Sequence, residues 1–182
     1  MSTRVATTAE AAPRPRVNRT LGDGAGVLAL ALVLFSLAGV AWGAWRPTYS
    51  ATVSGDGNLL LSGAGEAQFT SYITFALVTG LLAVGFSLFS YVRLRDVRGM
   101  PMLLWVTVLS FLAAMSFWAV GGVVADLLHQ IPEPQELETG QELHIVPTFS
   151  PGVASVAAPV MASLSYWLSS VLDVFAPVQD EE

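Results

Sequence analysis

The chain has 182 residues, a formal net charge of −6 and a mean hydropathy of +0.60, and only 12 % of its residues are charged. Soluble domains carry about 25 % charged residues, so this composition argues against a water-soluble fold. The absence of cysteine excludes disulfides, thiolate metal sites and thiol redox chemistry.

Residues 1–22 are rich in Ala, Thr and Pro and have no apolar period, which predicts a disordered cytoplasmic arm. An apolar segment without ionisable residues follows at 24–45 and is long enough to cross a bilayer, which takes ~20 residues. Because it is longer than the apolar core of a signal peptide, we expect it to be retained as the first transmembrane helix. Pro47 disfavours helix at Arg46 and ends the segment there.

The first outer loop is predicted over residues 46–66. The β-forming residues 48–53, the turn signal Gly55-Asp56-Gly57 and the apolar run 58–62 together predict a β-hairpin. A lone hairpin is only marginally stable, so a further strand from the second outer loop would complete a three-stranded cap.

The second helix is predicted over 67–93, behind Glu66, whose carboxylate suits a helix N-terminus. The short inner loop 94–99 makes the second and third helices antiparallel neighbours. The third helix is predicted over 100–129, with Pro101 in its first turn, where its missing N–H is not needed.

The second outer loop, 130–150, is acidic, and alternation at 142–146 indicates a strand that pairs with the hairpin. Ser150 followed by Pro151 predicts the start of a fourth helix over 151–175. Pro159 lies inside that helix and should kink it. The segment 177–182 is an acidic cytoplasmic tail.

With the N-terminus inside, seven of the eight arginines lie on the cytoplasmic side, so the positive-inside rule places both termini in the cytoplasm. The fold class is therefore an all-α membrane protein of the plasma membrane. It is a four-helix transmembrane bundle over 23–176, N-in and C-in, with a small extracytoplasmic β-hairpin cap. The expected topology anchors are Arg93, Arg95, Arg98, Trp42, Trp45 and Trp105.

Chemistry-bearing residues are scarce. No Asp, Glu, Arg or His lies within the four apolar segments 24–45, 69–92, 100–125 and 146–172, so an ion relay at membrane depth has no charged group. His129 and His144 lie in or beside the second outer loop, away from the depth where haem ligands are needed. We expect no catalytic residue, no cofactor and no nucleic-acid partner. As a weaker alternative, Asp126, His129, Glu142 and His144 could together bind a divalent metal, although a solvated acidic loop explains them more simply.

Small residues recur at four-residue spacing in the apolar segments. Lipid offers no hydrophobic force between helices, so close approach at small residues drives their packing. These residues either pack the four helices together or let the first or fourth helix dock a partner subunit. They are Gly39, Gly43, Ala76, Gly80, Gly121, Ala125, Ala154, Ala158 and Ala162.

Several local features form a recognisable layout. They are Trp45 with Pro47, a Val53/Gly57 hairpin, Glu66 and Phe69 opening the second helix, an Arg-rich turn to Gly99, and Pro147 with Ser150–Pro151 before the fourth helix. Over about residues 25–175, this layout resembles an uncharacterised actinobacterial family of small four-helix membrane proteins, a domain of unknown function. The resemblance implies a topology but no activity and no catalytic residues.

The leading hypothesis is a non-catalytic membrane protein that acts as an accessory or assembly subunit of a larger membrane complex. Its expected partners are the lipid bilayer and other membrane-protein subunits, and in an actinobacterium a respiratory supercomplex is one host. One alternative is a small transporter or channel lined by the Ser and Thr residues of the second and fourth helices, with Pro159 as a hinge. Another is an outward-facing sensor that binds metal in its acidic loop.

Overall fold

The computed structural model describes residues 19–53, 59–129 and 141–175. Most of the predicted arm, the tip of the hairpin, most of the acidic loop and the acidic tail lie outside these ranges. The helices are α1 (Arg19–Trp45), α2 (Ala64–Arg93), α3 (Met100–Leu128) and α4 (Ala157–Phe175). The strands are β1 (Tyr49–Val53), β2 (Leu59–Ser62) and β3 (Glu142–Ile145), and two 3-10 turns span Arg95–Val97 and Gly152–Val156.

All four helices include a stretch long and apolar enough to cross a membrane, which is the pattern of a multi-pass membrane protein. Buried side chains make up only 17 % of the most apolar window of α1 and 39 % of that of α2. Large apolar side chains such as Leu37 and Leu81 are 65 % and 69 % exposed. Soluble monomers rarely carry so much contiguous apolar surface, and lipid is the solvent that suits it.

The helix starts follow from local chemistry. Gly63 precedes α2 with a φ of 76°, in the left-handed region that favours glycine, and Glu66 lies in the first turn as predicted. Pro101 lies in the first turn of α3, also as predicted. α1 begins at Arg19. Residues 19–22 are therefore helical, although the sequence predicted them to belong to the disordered arm.

The fourth helix differs from its prediction. The segment opens with the 3-10 turn Gly152–Val156, and α-helix starts only at Ala157. No side-chain hydrogen bond caps that turn, so the predicted cap by Ser150 is wrong. Pro159 lacks the N–H that would bond to the carbonyl of Ser155, and its ring crowds that carbonyl. Pro159 therefore lies in the first turn of α4, where the 3-10 turn passes into α-helix, rather than at a kink within a longer α-helix.

The three strands form one antiparallel sheet in the order β2-β1-β3. Ala51 of β1 lies opposite Leu61 of β2 and Leu143 of β3. Ala51 and Leu143 are buried and pack with Ile145. The predicted pairing of the second outer loop with the hairpin is confirmed, and the two loops form a single cap over one end of the bundle, called here the sheet end.

The helices pack unevenly. α1 packs mainly against α3, α2 against α4, and α3 against α4. The sequence predicted α2 and α3 as neighbours, but α2 makes more contact with α4. Phe35, Phe75, Leu109 and Phe117 fill the core and are at most 1 % exposed. α1 and α2 make few contacts with each other, one of them being the hydrogen bond from Trp42 to Thr74 at the sheet end, and the seam between them is open towards the other end.

Candidate functional site: two arginines at opposite ends of the bundle

Arg46 directly follows α1, and its side chain is only 6 % exposed. Its Nη2 donates a hydrogen bond to the backbone carbonyl of Pro147, and its Nε donates to the Oγ of Ser71 on α2 at 3.4 Å. The Ser71 hydroxyl donates in turn to the carbonyl of Ala67 at 2.9 Å. One guanidinium therefore connects the end of α1, the start of α2 and the segment that leads into α4.

Aromatic rings enclose the same guanidinium. Its central carbon lies 5.3 Å from the ring centres of both Trp42 and Phe149, within the range of cation–π attraction. Phe75 and Phe117 pack edge-on or tilted against Trp42, with ring centres 6.2 Å and 5.3 Å away. This aromatic cluster closes the sheet end of the core.

Burial also acts on the charge of Arg46. Desolvation lowers the pKa of Arg46 below its usual value, and the negative charge of Asp126 opposes that lowering. A guanidinium is such a weak acid that it stays protonated at neutral pH despite this shift. Asp126, a candidate metal ligand in the sequence analysis, thus helps to balance a buried cation.

The metal candidates do not assemble. The Nδ1 of His129 lies 3.1 Å from the carbonyl oxygen of Ala125 in its own helix turn, and Glu142 and His144 lie in β3. Within the described ranges, no three His, Asp or Glu side chains come close enough to hold a metal ion. The four-ligand arrangement considered from the sequence is therefore not formed.

A second arginine is held at the opposite end, called here the connector end because it carries the α2–α3 turn. Arg98 forms an ion pair with Asp173 of α4 and donates from its Nε to the carbonyl of Tyr91 at 3.0 Å. The Tyr91 hydroxyl donates to the same carboxylate at 2.9 Å, and its ring packs edge-on against Tyr166 at 5.1 Å. Arg98, predicted as a topology anchor, thereby ties the connector to the last turns of α4.

The small residues of α1 meet α3. A Cβ added to Gly39 would lie 2.6 Å from the carbonyl oxygen of Phe117, and one added to Gly43 would lie 2.9 Å from the Cα of Gly121. A Cβ on Gly121 would lie 2.8 Å from the indole of Trp42. Backbone contact this close is possible only without side chains, so the stripe of α1 is used within the chain.

The stripe of α4 is also internal. Ala154, Ala158 and Ala162 are buried, and the Ser87 hydroxyl of α2 donates to the carbonyl of Ala162 at 2.8 Å. A Cβ added to Gly80 would touch Met161 at 3.4 Å. Ala125 is fully buried, and Ala76 is half-buried against the core. Both stripes therefore pack helices of this chain, and their use for docking a partner subunit is not favoured.

The membrane-depth hydroxyls bond mostly to protein groups. Thr79 and Ser90 donate to carbonyls one turn earlier, at 2.7 Å and 2.8 Å. Two pairs cross between helices, Ser36 with Ser116 at 2.6 Å and Thr107 with Ser163 at 2.8 Å. Among the described residues, Ser110 is the one whose buried side-chain oxygen has no partner.

The aromatic anchors divide into two kinds. Trp45 and Trp105 are 64 % and 41 % exposed, as side chains at a membrane interface can be. Trp42 is buried and donates from its indole to the Thr74 hydroxyl at 3.1 Å, so it is a core residue rather than an interface anchor. Arg93 and Arg95 project outward at the connector end.

Sequence reasoning missed the role of Arg46, which it used only as a helix terminator. A signal was present in the sequence, because Arg46 is the one arginine that the predicted topology places on the outer side. No protein-family model, curated protein or solved structure matches the chain. The family resemblance therefore stays a prediction, and function has to be argued from the geometry.

Proposed function

We propose that the protein is a non-catalytic subunit of a larger complex in the plasma membrane, with both termini cytoplasmic and an accessory or assembly role. The observation that carries the proposal is that Arg46 and Arg98, at opposite ends of the bundle, are both used in contacts within the chain. The guanidinium groups of Arg46 and Arg98 contact carbonyl, hydroxyl, carboxylate and aromatic groups, and these contacts join separate segments of the chain. Such contacts hold a fold together, and they leave neither of these two guanidinium groups directed at a substrate.

The distribution of arginine supports the orientation. Arg93, Arg95 and Arg98 cluster at the connector end, whereas the sheet end carries Arg46 alone within the described ranges. Loops rich in Arg stay on the cytoplasmic side during insertion, so the connector end is the proposed cytoplasmic end. The sheet is then extracytoplasmic.

The packed interior argues for a structural role over transport. A transport path needs polar groups that face water at membrane depth. Here Thr79 and Ser90 face their own helix carbonyls, and large side chains such as Phe75 and Phe117 fill the centre. Pro159 lies at the end of the span, a poor position for a hinge that opens a path through the middle.

A partner subunit would have to use outer surfaces, because the small-residue stripes are already packed. The apolar outer face of α2 is one such surface, with Leu77 60 % and Leu81 69 % exposed. The sheet is another, because β2 and β3 are its edge strands and β1 lies between them. Edge strands accept further strands through free backbone groups.

Co-purification from the native membrane tests this proposal. The full chain with a C-terminal tag is extracted in a mild detergent, and its partners are identified and quantified by mass spectrometry. We expect other membrane subunits in a fixed ratio, and those of a respiratory supercomplex are the first to look for. The same tagged chain, made in an unrelated bacterium, supplies the background. Recovery of only free monomer or homodimer from native membranes would overturn the proposed role.

A further inference from the structure

The open seam between α1 and α2 ends at the connector side in a hollow of about 360 Å³. Its walls include Gly22, Gly26 and Leu30 of α1, and Phe89, Arg93 and Asp96 of α2 and the connector. A volume of this size lies within the range of ligand sites, ~300–1,000 Å³. The walls are apolar along the helices and charged only at the end.

Two of the residues that line the hollow are glycines, which place no side chain in it. A Cβ added to Gly22 or Gly26 would meet no atom within 4 Å, so neither glycine is explained by close packing. Gly22 to Leu30 covers about 12 Å of helix, most of the ~15 Å hydrocarbon depth of one leaflet. The α1 wall of the hollow therefore has the length for an acyl chain that runs along the helix, and its side chains, Val27 and Leu30, are apolar.

The charged end of the hollow is positive. Arg93 and Arg95 line an adjoining hollow that shares Phe89, Arg93 and Asp96 with the first. Within the described part of the chain, neither arginine has a hydrogen bond or an ion pair. The Asp96 carboxylate offsets one of the two charges, so these three residues together carry a net charge of +1. A basic pocket between transmembrane helices is a recognised headgroup site.

We propose that this seam binds one anionic phospholipid, with its phosphate headgroup at Arg93 and Arg95 and an acyl chain along Gly22, Gly26 and Phe89. The charge pairs with the headgroup, and the glycine-lined wall accepts the chain. The site requires only that the connector end lies at a lipid headgroup layer. It does not depend on the existence of a partner subunit.

Lipid binding to the purified, delipidated full chain tests the proposal. Thermal unfolding and native mass spectrometry are measured with phosphatidylglycerol and with phosphatidylcholine of the same acyl chains. We expect saturable binding of one phosphatidylglycerol, with a larger rise in Tm than phosphatidylcholine gives. Arg93→Gln with Arg95→Gln should weaken phosphatidylglycerol binding about 5-fold per arginine and leave phosphatidylcholine binding unchanged.

Gly26→Leu tests the chain-binding half, because it fills the hollow and should reduce binding of both lipids at least 10-fold. Gly85→Leu is the matched control, since a Cβ at Gly85 also meets nothing within 4 Å but lies outside the hollow, and it should bind like the native chain. Glycerol phosphate, which has the headgroup charge without the chain, should not raise the Tm. Equal binding of the two lipids, or native binding by Gly26→Leu, would overturn the proposal.

Discussion

Arg46 and Pro147 are joined by a hydrogen bond from guanidinium to carbonyl across 101 residues of chain. The acceptor is a backbone group in a segment without regular structure, immediately before the turn that leads into α4. A buried carbonyl without a donor is costly, so the position of this segment depends on the arginine. The same side chain contacts Ser71 on α2, so Arg46 links the segment before α4 to the start of α2, beside the backbone pairing of β1 with β3.

We expect Arg46→Ala to lower the free energy of unfolding by about 2–4 kcal/mol, since it removes charge-assisted hydrogen bonds and leaves a cavity between Trp42 and Phe149. Arg46→Lys should recover part of the loss, because an ammonium keeps the charge but cannot reproduce the planar fork. Reversible unfolding in mixed micelles measures both. Thr148→Ala, at an exposed position next to Pro147, is the control, and an equal loss there would contradict a specific role for Arg46.

Gly43 and Gly122 form a matched pair for the contact between α1 and α3. Gly43→Ala places a methyl group 2.9 Å from the Cα of Gly121 and should cost about 1–3 kcal/mol, because the two helices must move apart. Gly122→Ala meets nothing within 4 Å and should be neutral or stabilise by up to about 1 kcal/mol through helix propensity. Thermal unfolding in detergent compares the two, and similar effects would contradict the proposed close contact.

Much of this fold could be predicted from the sequence, because the bilayer imposes a simple length rule on apolar segments. The end of α2 and the start of α3 followed from the connector and Pro101, whereas α2 begins at Ala64, three residues before its predicted start. The cap was also predictable, since strand alternation at 142–146 and the hairpin pattern are local signals. These features depend on residues close together in the chain.

What the sequence did not reveal depends on distant contacts. To predict that Arg46 pairs with Pro147 and Arg98 with Asp173, one must know which helices are neighbours. When a helix is apolar on all sides, its sequence does not indicate which of its faces packs against which neighbouring helix. For the same reason, the inward position of Trp42 and the preference of α2 for α4 could not be derived from periodicity.

Ser110 and Ser87 should respond in opposite directions to replacement by alanine. The Ser110 oxygen has no partner in the described part of the chain, so Ser110→Ala removes an unsatisfied polar atom and should stabilise by up to about 1 kcal/mol. Ser87→Ala removes the bond to the Ala162 carbonyl and should cost about 0.5–1.5 kcal/mol. Unfolding curves of the two variants give the signs, and destabilisation by Ser110→Ala would indicate a partner for that hydroxyl.

The Arg98–Asp173 pair is partly exposed, so we expect a small coupling energy between the two side chains, about 0.5–1 kcal/mol at low salt. A double-mutant cycle with Arg98→Gln and Asp173→Asn isolates it from the other contacts of Tyr91. The coupling should decrease in 0.5 M salt, since the carboxylate is open to solvent. A coupling that salt does not change would mean that the pair is more enclosed than its exposure indicates.

The chain has no cysteine, so no native cysteine has to be removed before a single cysteine is introduced to test the proposed orientation. Asp96 in the connector and Thr148 before α4 are both exposed, and they lie at opposite ends of the bundle. Asp96→Cys and Thr148→Cys are treated with a membrane-impermeant maleimide on intact cells and again after permeabilisation. We expect Thr148→Cys to react in both conditions and Asp96→Cys only after permeabilisation, because the arginine-rich connector should face the cytoplasm. The reverse pattern would invert the orientation. Equal labelling of both variants in intact cells would contradict a membrane-spanning bundle.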